Sequence, residues 1–298
     1  MEFKSLQDSI RSCSFYIEKT INELLPEDFS DSRIVEAMRY SSLSGGKRVR
    51  PFLVMAVANI FNFPFLKTLN CATAIELVHV YSLIHDDLPA MDNDDFRRGK
   101  LSNHKKFDEA TAILAGDALL TLAFEILANQ DTHENPTIRC ELIKTLSRAI
   151  GYRGMVGGQM IDIENIDKKI SYDQIINLHR LKTGELFMAS AECGAILAGA
   201  SEKERLALRY YAHDLGLAFQ IKDDILDYLG VVIGKTQIDE IVHKKSKENA
   251  SIVDILGLER SKQQVKILSD QAKLHLNIFG KKAYILENLI DFLIERNN

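Results

Sequence analysis

Gln220-Ile-Lys-Asp-Asp-Ile-Leu-Asp227 carries Gln220, Asp223, Asp224 and Asp227 at i, i+3, i+4 and i+7. That spacing puts four polar side chains on one stripe of an α-helix. Leu215 to Phe219, just upstream, is apolar, so the polar stripe interrupts a helix that is otherwise suited to burial. A second run of the same form, His85-Asp-Asp-Leu-Pro-Ala-Met-Asp92, ends the apolar stretch Ala74 to Ile84. His79 and Asp86 share a helical face there, but Asp92 would point elsewhere if the helix ran on. Pro89 resolves the conflict. It lacks an N–H and disfavours the helical conformation at Leu88, so the helix ends or bulges and Asp92 folds back. One such Asp-Asp pair alone reads as a solvated helix end. Two behind buried helices do not, because like charges repel and ionised carboxylates are poorly solvated there. A cation relieves both problems. A few oxygen ligands per cluster suit Mg²⁺, which keeps several waters and shares its sphere with substrate phosphates.

Working outward, the rest of the chain also reads as helix. Leu286, Leu289, Ile290, Leu293 and Ile294 form an apolar stripe, and Asp108 to Leu127 is so rich in Ala, Leu and Ile that burial on most sides is expected. Breaks are expected at Pro26, Ser44-Gly45-Gly46, Pro64, Asn129 to Pro136, Gly157-Gly158, Gly230 to Gly234 and Gly280. No alternating run predicts a strand, Val231-Val-Ile233 being too short, and neither a Rossmann nor a P-loop glycine pattern is present. The expectation is an all-α single domain over residues 1–298, a bundle of about ten helices with its motifs at one end.

The chain has 298 residues, enough to bury roughly 75% of its unfolded surface. A net charge of −5 argues against a nucleic-acid surface. No N-terminal segment resembles a signal peptide, and the stretch read as most apolar, near Leu186 to Ala200, carries Glu192 and is too short to span a bilayer. A cytoplasmic protein without stable membrane insertion is expected. Cys13, Cys71, Cys140 and Cys193 stand far apart, which argues against disulfides and zinc and for small buried side chains.

The basic residues complete the electrostatics. Gly45-Gly-Lys-Arg-Val-Arg-Pro51 sets Lys47, Arg48 and Arg50 at the glycine-marked start of a helix, where free N–H groups and guanidinium forks suit a phosphate. Read alone, it is equally an ordinary basic turn. Arg97-Arg98-Gly99-Lys100 follows Asp92, Asp94 and Asp95, and its plainer reading is local salt-bridging. Lys182-Thr183-Gly184, within the helical stretch Tyr172 to Ala191, and Lys235-Thr236 add two more cations. Metal-bearing carboxylates facing basic groups describe a site for diphosphates.

These motifs, with Ala115-Gly-Asp-Ala118 and Gly158-Gln159, resemble in order those of the trans-prenyltransferases, or polyprenyl synthases, over nearly the whole length from Lys47 onward. Within that family the likeness is strongest to the bacterial farnesyl diphosphate synthases. The resemblance implies an isoprenoid synthase-like bundle around a central cavity, a homodimer, and condensation of isopentenyl diphosphate with dimethylallyl or geranyl diphosphate. It further implies that Asp86, Asp92 and Asp223 hold Mg²⁺, up to about three ions and replaceable by Mn²⁺, with Asp87, Asp224 and Asp227 in support. Arg97, Lys182, Thr183, Gln220 and Lys235 would contact the allylic diphosphate, and Lys47, Arg50, His79 and Arg98 that of isopentenyl diphosphate.

Family members line the cavity floor with the residues just before the first aspartate motif, here Tyr81 and Ser82, about 7 Å of helix below Asp86. A tyrosine there favours a C15 product, with C20 the alternative. One region departs from the family pattern: Gly230-Val-Val-Ile-Gly-Lys235 is unusually apolar, and Glu240 to Asn249 lacks the expected proline. Which of Lys244, Lys245 and Lys247 serves as the later basic residue stays open. A terpene cyclase would also use aspartates and Mg²⁺ but would leave Gly45 to Pro51 and His79 unexplained. A non-catalytic partner subunit would be expected to lose aspartates or basic ligands that this chain keeps.

Overall fold

In the computed structural model, residues 5–27, 32–166, 168–230 and 251–295 are described, and they are almost entirely helical. In chain order the helices are α1 (Leu6–Leu24), α2 (Arg33–Ser42), α3 (Val49–Ile60), α4 (Leu69–Asp86), α5 (Asn103–Lys106), α6 (Glu109–Ala128) and α7 (Pro136–Ile150). They continue with α8 (Met155–Glu164), α9 (Tyr172–His179), α10 (Glu185–Leu197), α11 (Glu202–Tyr228), α12 (Ile252–Leu256), α13 (Leu258–His275) and α14 (Tyr284–Ile294). Several ends follow local chemistry. Asp108 caps α6 by accepting the Thr111 N–H, and Ser201 with Glu204 forms a capping box on α11.

The central helices are α3, α4 and α10, whose residues are buried on nearly every side. Helix α4 packs between α3 and α6, and α10 between α3, α7 and α11. Phe52, Leu53, Leu77, Leu119, Phe187 and Tyr211 are fully buried in this core. Each such side chain contributes about 1.5–3 kcal/mol by leaving water. Gly194 sets the α3–α10 spacing, because a Cβ there would lie 3.2 Å from the Val54 carbonyl carbon and closer still to its oxygen. A smaller apolar cluster joins Ile175, Leu217, Ile221, Ile252 and Val265 where α9, α11, α12 and α13 meet.

Four expectations need correction. Gly157 and Gly158 lie inside α8 rather than between helices, and the break falls at 151–154. They are small for packing: a Cβ on Gly158 would sit 2.7 Å from the Lys182 Cα and closer to its N. Phe96–Arg97 and Lys100–Leu101 pair as a short antiparallel hairpin, turned by Arg98 and Gly99 at φ 54° and 74°. Positive φ at both central residues matches the twist of paired strands, a signal too short for alternation to reveal. Helix α6 is not buried on most sides. Ile113 and Leu114 are exposed, and α6, not Leu186 to Ala200, is long and apolar enough to cross a membrane by length and composition. Finally, Cys13, Cys71 and Cys193 are buried as expected, but Cys140 is exposed.

Candidate active site

Helix α4 ends at Asp86, and the chain turns so that the Asp92 N–H donates to the Asp86 carbonyl at 2.9 Å. Pro89 therefore ends the helix as its chemistry requires, and Asp92 returns beside Asp86. The two members of the Asp-Asp pair then diverge. Asp86 lines a cavity of about 590 Å³, whereas Asp87 is buried and bound by the Arg97 guanidinium, whose Nε donates to it at 2.9 Å. Arg97 also reaches Asp94 at 3.1 Å, in keeping with the local salt-bridge reading, and it lines the same cavity.

The second cluster divides in the same way on α11. Asp223 lines the cavity, while Asp224 accepts the Ile252 N–H at 2.9 Å and ties α11 to α12. The stripe is thus split between adjacent residues that leave the helix about 100° apart. Gln220 lines the cavity between them, its Oε1 accepting from the Thr183 hydroxyl at 2.9 Å. Thr183 and Lys182 sit in a π-helical turn, Arg180–Gly184, that links α9 to α10 and widens the helix where it meets the cavity. Lys182 donates to Asp162 of α8 at 2.6 Å.

Burial dominates the electrostatics. It pushes the Asp86 carboxyl up to about 6, with Lys182 opposing and Asp92 adding to the rise. Asp87 is pushed up to about 6 and Asp224 to about 7 by the same cause. Burial acts against the Lys182 ammonium, but Asp86, Asp162 and Asp92 outweigh it and hold that group above its ordinary value. Such carboxylates are poorly stabilised when ionised, and they are hard oxygen donors. Among the described residues no three His, Cys, Asp or Glu side chains stand close enough to hold a metal by themselves. The oxygen donors that line the cavity are of the kind that suits a hard divalent cation completed by water.

A cationic group borders the cavity from the α3 side. Arg50 lines it, stacks over Phe187 at 4.8 Å from the ring centroid, and lies 3.4 Å from His79 Nε2. Burial, then Arg50, Arg98, Arg48 and Arg97, hold His79 well below its usual range, so it is neutral at pH 7. Arg98 folds back onto the Gly45 carbonyl, joining the hairpin to the glycine turn before α3. A Cβ on Gly46 would lie 2.7 Å from the Arg98 guanidinium carbon. Arg48 is not available to a phosphate: it is buried at φ 47°, paired with Glu76 and donating to the Ser42 carbonyl at 2.6 Å.

The polyprenyl synthetase family model matches residues 31–287. The chain is 43% identical to the farnesyl diphosphate synthase of Escherichia coli over 92% of its length and 93% of that protein's. It is 39% identical to a geranylgeranyl diphosphate synthase of Cyanophora paradoxa, covering 95% of this chain and 93% of that one. An FPP/GFPP synthase of Zymomonas mobilis superposes with a TM-score of 0.87 at 43% identity, covering 97% and 98% of the two chains. The chain belongs to the polyprenyl synthetase family.

The structure brings Arg50, His79, Asp86, Arg97, Lys182, Thr183, Gln220 and Asp223 to the lining of one cavity. Asp92 stands at its edge through Asp86, Arg98 sits behind it on the glycine turn, and Lys47 is exposed at that turn. Lys235, Lys244, Lys245 and Lys247 lie outside the described residues. Asp162 escaped the sequence reading, and Gln159 entered it only as part of the Gly158-Gln159 motif, with no role assigned. Asp162 holds Lys182, and the amide of Gln159 lines the cavity with Oε1 and Nε2 buried and without a hydrogen-bond partner among the described residues. Their i, i+3 spacing after Gly158 was the available signal.

Proposed function

We propose that this chain is a Mg²⁺-dependent prenyltransferase that joins isopentenyl diphosphate to dimethylallyl or geranyl diphosphate and releases farnesyl diphosphate. The observation that carries the reading is that Asp86 and Asp223, from clusters 137 residues apart in the chain, line one cavity together with Arg50 and His79. Asp86, Asp92 and Asp223 would hold the Mg²⁺, which when bound supplies positive charge to the leaving diphosphate. Lys182 and Arg97 add fixed charge on the same side, and Lys235 is assigned with them from the sequence motif. Preorganised cations favour the ionised state of the C–O bond over the intact ester. Arg50, Lys47 and Arg98 would grip the diphosphate of isopentenyl diphosphate, with neutral His79 as a hydrogen-bond partner. Thr183 and Gln220, bonded to each other, orient the allylic group without offering a nucleophile that would trap a carbocation. The proton lost after attack goes to the departing diphosphate.

Tyr81, with Ser82, is read as the floor that stops growth at C15, and C20 is the second reading. The exposed apolar residues of α6 are read as the face covered by a second copy in a cytoplasmic homodimer. The whole chain then works as one domain on small diphosphates. Incubation with labelled isopentenyl diphosphate and each allylic starter, followed by chromatography, should give labelled farnesyl diphosphate. Hydrocarbon formed without isopentenyl diphosphate would instead identify a terpene cyclase.

A further inference from the structure

His85, one residue before the first metal-cluster aspartate, lines the same cavity as Tyr81 and meets its ring edge-on, with centroids 5.7 Å apart at 81°. Its Nε2 lies 3.1 Å from the Ile113 carbonyl of α6. Because a carbonyl only accepts, that nitrogen carries the proton and donates. The imidazole is therefore tied to the backbone of α6. Space for it exists because position 116 has no side chain: a Cβ on Gly116 would fall 2.5 Å from Cδ2, 3.0 Å from Cε1 and closer still to Nε2. An interior helical glycine is otherwise unfavourable for the helix, so the vacancy needs a reason.

We propose that Gly116 is a positioning residue for product length. It seats His85 against α6, so that the imidazole forms the cavity floor beside Tyr81 and stays out of the path of the growing chain. This rests on the reading of the Tyr81 end of the cavity as its floor. A methyl group on α6 cannot be absorbed by helical backbone, and the ring is what moves. With α6 behind it, the ring turns into the cavity and shortens it.

The test compares product lengths from Gly116→Ala, His85→Ala, the double variant and Tyr81→Ala, each incubated with dimethylallyl and isopentenyl diphosphates. Gas chromatography of the dephosphorylated products gives the readout. Gly116→Ala should raise the C10 to C15 ratio at least about tenfold, and alanine favours the helix, so the variant should fold. The double variant should restore C15 or longer products, a rescue that mere damage to α6 would not permit. His85→Ala alone, which leaves α6 untouched, should extend products toward C20. Unchanged C15 from folded, active Gly116→Ala and His85→Ala enzymes, beside a lengthened product from Tyr81→Ala, refutes the role of Gly116 alone. Unchanged C15 from all of them refutes the floor itself, and this inference with it.

Discussion

Truncation of Tyr81 to alanine tests the depth of the cavity. Tyr81 is 6% exposed on α4, it lines the cavity, and burial pushes its phenol up to about 12, so the ring is neutral at any working pH. Removing it opens space below the growing hydrocarbon. Each CH₂ that leaves water for apolar surroundings gains about 0.8 kcal/mol, so one further C5 unit gains about 4 kcal/mol. At about 1.4 kcal/mol per factor of ten, that is roughly a 10³-fold preference for threading the C15 chain deeper rather than releasing it. The cost falls on stability. Deleting a buried aromatic side chain costs about 3–5 kcal/mol, and the lower end applies because this ring already borders a cavity. A purified variant should therefore melt earlier yet release C20 or longer diphosphates, read by gas chromatography after dephosphorylation. A folded, active Tyr81→Ala enzyme that makes only C15 product would refute the reasoning.

Four further outcomes are expected. Asp223→Ala should lose roughly 10³-fold in kcat with an unchanged circular dichroism spectrum, since the loss falls on transition-state charge stabilisation; near-normal turnover would remove Asp223 from the metal site. Arg48→Ala should cost about 3–5 kcal/mol in denaturant titrations, because it strands Glu76, which is 1% exposed, without its partner. Asp86, held up to about 6 in the folded chain against an ordinary 3.8, favours folding below pH 4, and that contribution is lost as pH rises through about 6. In chelator, Asp86→Asn should accordingly be more stable than the parent by roughly 2 kcal/mol at pH 8 and should match it at pH 4, allowing for partial exposure; parallel melting curves across that range would contradict the assigned desolvation. Gly158→Ala should lower both thermal stability and kcat, since the new methyl meets the Lys182 backbone, with its Cα 2.7 Å away, and either helix α8 or the Lys182 turn must shift; thermal melts and steady-state kinetics that both match the parent would refute the close packing.

Much of the candidate site was legible because helical periodicity and proline chemistry are local. The i, i+3, i+4, i+7 stripe of Gln220 to Asp227 lies within one helix, and Asp92 folds back after Pro89 onto the Asp86 carbonyl. Each of these follows from hydrogen bonding within a few residues. Other features depended on what lies opposite each face. Asp86 and Asp87 have the same neighbours in sequence, yet one lines the cavity and the other is held by Arg97, and Asp223 and Asp224 divide likewise. Gly158 reads as a turn until the Lys182 backbone is packed against it. Arg48 and Arg50 are two residues apart, and only the packing of α4 against α3 pairs the first with Glu76 and leaves the second at the cavity. The apolar composition of α6 predicts burial, but the chain's own core covers only part of that helix. Composition sets which side chains can be buried or charged, whereas the partner of each is set by elements distant in sequence, whose approach depends on the packing of the whole chain.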